Sequence, residues 1–445
     1  MRERLHASEV ESARPGGRSV VSRRGERPGH SATTAHFQAA YPFLGQGGLG
    51  APGVYIGTDA FGGAWAFDPW ELYARKAVRS PNMIVMGDIA YLKSTLIKTY
   101  LYRQFVFGRQ FWILDVKGEY GPFAKALGYP TIRLEPGGEV RLNAIERRGG
   151  REGQLALLRA VAMSALHRDL GPEEDAALRV ALDQVNEEAG YREPTLPQVV
   201  EVLLHPREAM VEGVVAEGPA EFAAAAREVA LALQRLCEGD LRGMFDGPTS
   251  EGIALDAGVV VLDLSAMRDS EALGVLMTCA GAWQQAIFRE RKAESDRSGV
   301  PMRKTFCVFE EVWRVAPNVA VAEWLQSNFK LCRALGIANI LSLHKLTDFG
   351  TAGADGTRAA RIAEALVGDA GCVVVYRQPP DQRKVLQEVL GCSDTETELS
   401  TTLDIGEAIW KVGPRSMLVR QRLSRREREM TFTDEQMGVI PAGAP

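Results

Sequence analysis

Apolar residues along this chain alternate between short solid blocks and a helical rhythm. The block 83–86 is uniformly apolar and too short for a helix, 94–107 repeats its apolar positions at helical spacing, and 111–114 is a second block ending at Asp115. Blocks of this length buried on both faces are the signature of parallel strands, and the helix between them supplies the right-handed crossover such strands need. A third strand is expected at 131–134, after a helix near 122–127. From about 152 to 238 the spacing is helical throughout, with four helices expected at 154–167, 173–188, 196–204 and 220–237, which together read as an all-α insertion. Strands resume at 259–262, 305–309, 340–343 and 372–376. Helices are expected between and after them, at 271–291, 321–334, 357–367 and 380–390. A charged loop is expected at 292–303 and a closing hairpin at 407–412 and 415–420. Ahead of all this, 37–79 alternates glycine-rich turns with apolar pairs, as a β-hairpin does.

The expected fold is therefore α/β: a P-loop NTPase (RecA-like) core with a mainly parallel sheet, an all-α insertion and an N-terminal β-hairpin element. The expected division is a tail at 1–36, the β element at 37–80, the first part of the core at 81–150, the insertion at 151–240, and the second part of the core with its hairpin at 241–445. With 445 residues, 46% of them hydrophobic and 7% aromatic, the chain has material for a sizeable core. Its formal charge of -5 gives no overall basic field, so any DNA contact would have to come from a local patch. The nearest candidate is the arginine-rich stretch 420–428, and a solvated charged face explains that stretch as well. The first 36 residues mix arginine with Glu, Ser, Gly and Pro, lack the apolar segment of a secretory signal, and read as disordered. No run approaches the 18 or so apolar residues of a membrane span. The six cysteines are scattered and never spaced as C-x-x-C, which suits free thiols in a reducing compartment. A cytoplasmic protein is expected, attached to a membrane only through partners.

Candidate chemistry lies where the first strand turns into its helix. Gly87, Asp88, Ile89, Ala90, Tyr91, Leu92, Lys93, Ser94 and Thr95 follow the pattern G-x-x-x-x-G-K-[ST], except that Leu92 stands in the second glycine's place. In that pattern, backbone N–H groups and the helix N-terminus cradle phosphates, the lysine reaches the β- and γ-oxygens, and the hydroxyl ligates Mg²⁺. Gly87, Asp88, Ala90, Tyr91, Leu92, Lys93, Ser94 and Thr95 are thus the candidates for holding ATP. A helix start with a surface lysine would leave the same trace. Two later strand ends add pieces that such a site needs. The strand at 305–309 runs into Glu310 and Glu311, the first suited to the metal with Ser94 and the second to polarising the attacking water. A solvated acid pair is the alternative. The strand at 340–343 ends at His344, placed to sense a terminal phosphate or to cap the strand. A ring-shaped motor also needs an arginine from a neighbouring subunit, for which Arg333 and Arg377 are candidates, though either also suits an ordinary surface position.

Seven segments together resemble the conjugation and type IV secretion ATPases, TraC-like and of the actinobacterial branch, within the HerA/FtsK superfamily of P-loop motors. They are Tyr-Pro-Phe-Leu at 41–44, Gly-Val-Tyr-Ile-Gly at 53–57, Asp-Pro-Trp at 68–70, Asp-Val-Lys-Gly-Glu-Tyr at 115–120, Met-Phe-Asp-Gly-Pro-Thr-Ser at 244–250, Glu-Glu-Val-Trp at 310–313 and His-Lys-Leu-Thr-Asp at 344–348. The resemblance implies an ATPase using ATP and Mg²⁺, assembling as a hexamer, and energising transfer of DNA or protein through the channel proteins of a secretion or conjugation system. It also implies that most of the N-terminal domain of longer relatives is missing here. Ala90 and Leu92 replace two glycines of the family's loop, and Glu310 replaces its aspartate. These departures raise two alternatives: a catalytically impaired, nucleotide-binding or structural subunit, and a HerA/FtsK-type DNA translocase.

Overall fold

The computed structural model describes residues 48–147, 150–190, 192–208, 218–239, 241–268, 272–311, 319–345 and 364–431. The tail at 1–36, the Tyr-Pro-Phe-Leu segment, the ends of the last two resemblance segments at 312–313 and 346–348, and the expected helical residues 357–363 lie outside them.

The chain opens with an antiparallel pair, β1 (Val54–Asp59) and β2 (Ala64–Phe67), followed by α1 (Pro69–Ala74). Asp68 starts that helix by accepting from the backbone of Trp70 and Glu71. The crossover unit is β3 (Met83–Met86), α2 (Lys93–Phe105) and β4 (Gln110–Asp115). It continues with α3 (Gly121–Leu127) and the short β5 (Ile132–Arg133). Four helices follow: α4 (Gly150–Leu166), α5 (Pro172–Ala189), α6 (Leu196–Leu204) and α7 (Pro219–Glu238). Then come β6 (Val259–Asp263), α8 (Ala272–Ser298), β7 (Thr305–Glu310), α9 (Val319–Leu335), β8 (Ile337–Leu343) and β9 (Cys372–Val375). The chain closes with α10 (Arg383–Leu390), α11 (Asp394–Ser400), the hairpin β10 (Glu407–Val412) and β11 (Arg415–Gln421), and α12 (Arg425–Thr431).

One sheet joins the described strands in the order β2-β1-β11-β10-β9-β3-β8-β7-β4-β6-β5. From β9 to β5 every neighbour is parallel, and the hairpins extend one edge antiparallel. Alternate residues of each central strand feed two cores. Ile84, Trp112 and Phe309 face the core shared with α4–α7 and α8, while Val85, Ile113 and Val308 face the core shared with α2 and α3. Burial on both faces is why these strands are unbroken apolar blocks.

Several elements differ from expectation. Helix α8 runs to Ser298, because Lys292 pairs with Asp296 and Arg297 with Glu294 along the stretch expected to be a loop. Strand β7 includes Glu310, and β8 begins at Ile337. The arginine-rich stretch runs into α12, whose Glu427 receives Arg103 from α2 at 2.6 Å. Arg420 pairs with Glu407 at 2.8 Å and Arg425 with Glu429, so much of that charge is already partnered within the chain. All six cysteines are buried and free.

Candidate functional site

The strand order brings the chemistry together. In a parallel sheet, ligands bind beyond the carboxyl ends of the strands, and here those ends carry the 87–92 loop (β3), His344 (β8), Glu310 and Glu311 (β7) and Asp115 (β4). Strand β8 lies between β3 and β7, so His344 stands between the loop and the acid pair.

The loop is tied to both neighbours of β3: Gly87 N–H donates to Leu343 O at 3.3 Å and Asp88 N–H to Arg377 O at 2.9 Å. A Cβ on Gly87 would stand 2.4 Å from Tyr376 Cβ, so this position requires glycine. Ala90 and Leu92 have φ of 67° and 68°, the left-handed conformation that glycine favours. The backbone therefore keeps the glycine shape at both substituted positions. A left-handed residue with a Cβ costs about 1–2 kcal/mol, and glycine returns roughly half of that through unfolded-chain entropy. Ala90→Gly at this exposed site is accordingly expected to stabilise the protein by about 0.5 kcal/mol, where the same change inside a helix would cost about 1 kcal/mol. A urea midpoint that falls instead of rising would contradict the strain. The Leu92 side chain leans toward Gly406, with its Cδ1 3.6 Å from where a Cβ on that glycine would stand.

Lys93 is the first residue of α2 and points into the loop. Its Nζ donates to Gly87 O at 2.6 Å and Asp88 O at 2.8 Å, and lies 3.3 Å from His344 Nδ1. An ammonium has three donors and no acceptor, so all three are engaged and Nδ1 must be the accepting nitrogen. The proton on Nε2 then goes to Glu311 Oε1, 2.9 Å away. The same oxygen receives Lys117 Nζ at 2.9 Å. Burial, reinforced by the nearby charge of Lys117, holds the Lys93 pKa down at about 8. For Glu311 burial works upward, but bonds from His344 and Lys117 outweigh it and bring the carboxylate down to about 2. Glu311 has φ of 55°, and strained backbone of this kind clusters at functional sites.

Glu310 is buried inside the sheet edge. Tyr120 Oη donates to its Oε1 at 2.8 Å, and Ser94 Oγ lies 3.4 Å from its Oε2. Burial pushes the Glu310 carboxyl up and, with the Glu310 charge, pushes the Tyr120 hydroxyl well up, so Tyr120 stays a donor. Thr95 lies half-buried on the first turn of α2, and Asp88 accepts from Ile89 N–H within the loop. Arg377 donates to Tyr91 Oη at 2.9 Å and sits over its ring, engaging its own chain's loop. Arg333, exposed near the end of α9 just before β8 begins, lies toward the amino ends of the parallel strands, away from the carboxyl ends that form this site.

The residue-by-residue reading gave no role to Lys117 or Tyr120, although both lie in the 115–120 segment that carried the resemblance. The signal was the loop itself. Asp115 accepts from the backbone of Lys117, Gly118 and Tyr120, fixing the turn that aims both side chains at the acid pair. Fully buried Lys98 adds a bridge to Glu119 at 3.3 Å and sits over the Tyr120 ring.

Sheet order and loop define a P-loop, RecA-like α/β fold. No protein-family model matches the chain, and no curated protein matches it. Among solved structures it is similar to VirB4 of Thermoanaerobacter pseudethanolicus, at 20% identity and a TM-score of 0.68, covering 86% of this chain and 100% of that one. It is also similar to the plasmid coupling protein TrwB in complex with the non-hydrolysable GTP analogue GDPNP, at 16% identity and 0.53, covering 79% and 87%. The same protein with the ATP analogue ADPNP gives 14% and 0.53, covering 84% and 90%. At these identities the likeness establishes the fold.

Proposed function

We propose that this chain is a motor ATPase of a conjugation or type IV secretion-like system, binding MgATP and hydrolysing it to drive transfer of DNA or protein. The observation that carries this reading is the meeting of two distant parts of the sequence at one sheet edge. Ser94 faces Glu310, and Lys93 is joined through His344 to Glu311. Solvated acids and a surface lysine would have no reason to converge there. TrwB structures in complex with ADPNP and with ADP and Mg²⁺ support nucleotide binding in this fold.

The proposed roles follow from the chemistry of each group. Backbone N–H groups of the 87–95 loop and the start of α2 hold the phosphates, and Lys93 exchanges protein carbonyls for phosphate oxygens. The donor set for Mg²⁺ is the Ser94 hydroxyl and the Glu310 carboxylate, both oxygen, with Glu310 buried and its Oε2 already facing Ser94. Among the described residues no cluster of three His, Cys, Asp or Glu forms a protein-only site. Magnesium takes one or two protein oxygens beside phosphate and water, a number that Ser94 and Glu310 could supply. When bound there, Mg²⁺ would supply positive charge to offset that of the phosphate oxygens. Glu311 orients the attacking water, and an arginine acts across a hexamer interface: exposed Arg333, or Arg377 if it exchanges Tyr91 of its own loop for a neighbour's site. No helix among the described residues is long and apolar enough to cross a membrane; a cytoplasmic subunit attached through channel partners is part of the proposal.

Phosphate release by the purified protein tests this reading, with the Lys93→Ala, Glu311→Gln double variant as control. Release by the parent alone supports it. Equal rates in both defeat it, and MgATP binding without release favours the impaired-subunit alternative. Steep salt-dependent stimulation by duplex DNA would single out a DNA translocase.

Lys93 adds a pH signature. Its folded pKa lies below the unfolded 10.5, so burying its charge opposes folding below about pH 8, and that opposition fades toward 10.5. Bound phosphate favours the charged form. Titrating MgATP at about pH 8.5 in buffers of different ionisation enthalpy should therefore show uptake of a fraction of a proton, absent near pH 6.5. Zero uptake at the higher pH would place Lys93 away from the phosphates.

A further inference from the structure

We propose that Lys117 reads the terminal phosphate of a bound nucleoside triphosphate, leaving Glu311 for that phosphate and so withdrawing one of the donors on that acid oxygen, which can then turn to water when the loop is filled. This rests on the MgATP reading above and adds a residue to it.

Three observations support the assignment. The root of Lys117 is rigid, because the Asp115 carboxylate binds the backbone N–H groups of 117, 118 and 120 at 3.1, 2.8 and 2.8 Å, while the lysine side chain is partly exposed. Its ammonium and His344 Nε2 both donate to one oxygen of Glu311, each at 2.9 Å. A carboxylate oxygen taken by two such donors is poorly available to accept from water. Finally, the ammonium groups of Lys117 and Lys93 lie close enough for the charge of the first to act on the second. His344 bridges Lys93 and Glu311, so the nucleotide-free arrangement includes a hydrogen-bonded chain from Lys117 through Glu311 and His344 to Lys93. A terminal phosphate entering at the loop is a counter-anion for both lysines, and a charge-assisted bond to it replaces the one Lys117 makes with Glu311. A diphosphate lacks that terminal group. The proposal therefore separates triphosphates from diphosphates.

The test measures affinities for MgADP and for the magnesium complex of a β,γ-imido ATP analogue in five proteins: the parent, Lys117→Met, Lys117→Arg, Glu311→Gln and the Lys117→Met, Glu311→Gln double variant. Lys117→Met is expected to weaken the analogue about tenfold, the scale of one charge-assisted hydrogen bond, and to leave MgADP unchanged. Lys117→Arg should keep most of the preference. Glu311→Gln, which loosens the grip on Lys117, should tighten the analogue in the parent background and do nothing in the Lys117→Met background. A merely structural lysine would weaken both nucleotides alike and give the same Glu311→Gln effect in both backgrounds. An unchanged ratio of the two affinities in Lys117→Met overturns the proposal. If Lys117→Met fails to fold, Lys117→Gln carries the same comparison. Failure of the underlying MgATP reading looks different, because the parent itself would then bind neither nucleotide.

Discussion

Glutamine in place of Glu311 is expected to slow phosphate release by about 10²–10⁴-fold, the usual contribution of a positioned base, while nucleotide binding stays at least as tight as in the parent. The side chain keeps its size, so the difference is one of charge. His344 and Lys117 hold the Glu311 carboxylate ionised at any ordinary pH, with its pKa at about 2. An ionised carboxylate attracts the protons of a water molecule, and the neutral amide of glutamine does so much less. The left-handed backbone at Glu311 follows from its place one residue beyond the end of β7, where the chain turns out of the sheet. Steady-state phosphate release together with a binding titration separates the two effects. Parent-like release from the variant would show that another group orients the water.

Alanine in place of Lys93 is expected to act one step earlier, on binding. A ligand at 100 times its Kd stabilises a protein by about 2.7 kcal/mol, so MgATP at that concentration should raise the melting temperature of the parent by several degrees and leave the variant where it was. The variant should still fold. Burial works against the charge of Lys93, so its removal also removes an unfavourable term, although Gly87 O and Asp88 O each lose a donor. An equal thermal shift in both proteins would mean that nucleotide binds without the loop lysine.

Much of the fold was legible in the sequence, for a physical reason. Strands buried on both faces must be apolar at every position, so β3, β4, β6, β7 and β9 stand out as blocks, and the four helices between β5 and β6 keep their spacing because each buries a stripe. Element ends held by charges were not legible. The last turns of α8 are polar on all sides and depend on pairs such as Lys292 with Asp296, and α12 is held by Arg103, more than 300 residues away in sequence. The same division applies to the site. Gly87, Lys93, Ser94, Glu310, Glu311 and His344 lie at strand ends and turns, where pattern reading looks for chemistry, and the structure brings them together. Lys117 and Tyr120 acquire their meaning only from the order of β4, β7 and β8, which no local spacing encodes. Leu92 was misleading in a different way. Sequence shows a side chain where the phosphate loop has a glycine, but the backbone there has φ of 68°, the glycine conformation.

The most direct measurement is an experimental structure of the protein with Mg²⁺ and a non-hydrolysable ATP analogue. The expected result is a triphosphate enclosed by the backbone amides of residues 87–95, with Lys93 moved from the carbonyls of Gly87 and Asp88 onto phosphate oxygens, and the metal between Ser94 and Glu310. A nucleotide bound elsewhere, or a Lys93 still bonded to those two carbonyls beside an occupied loop, would contradict it.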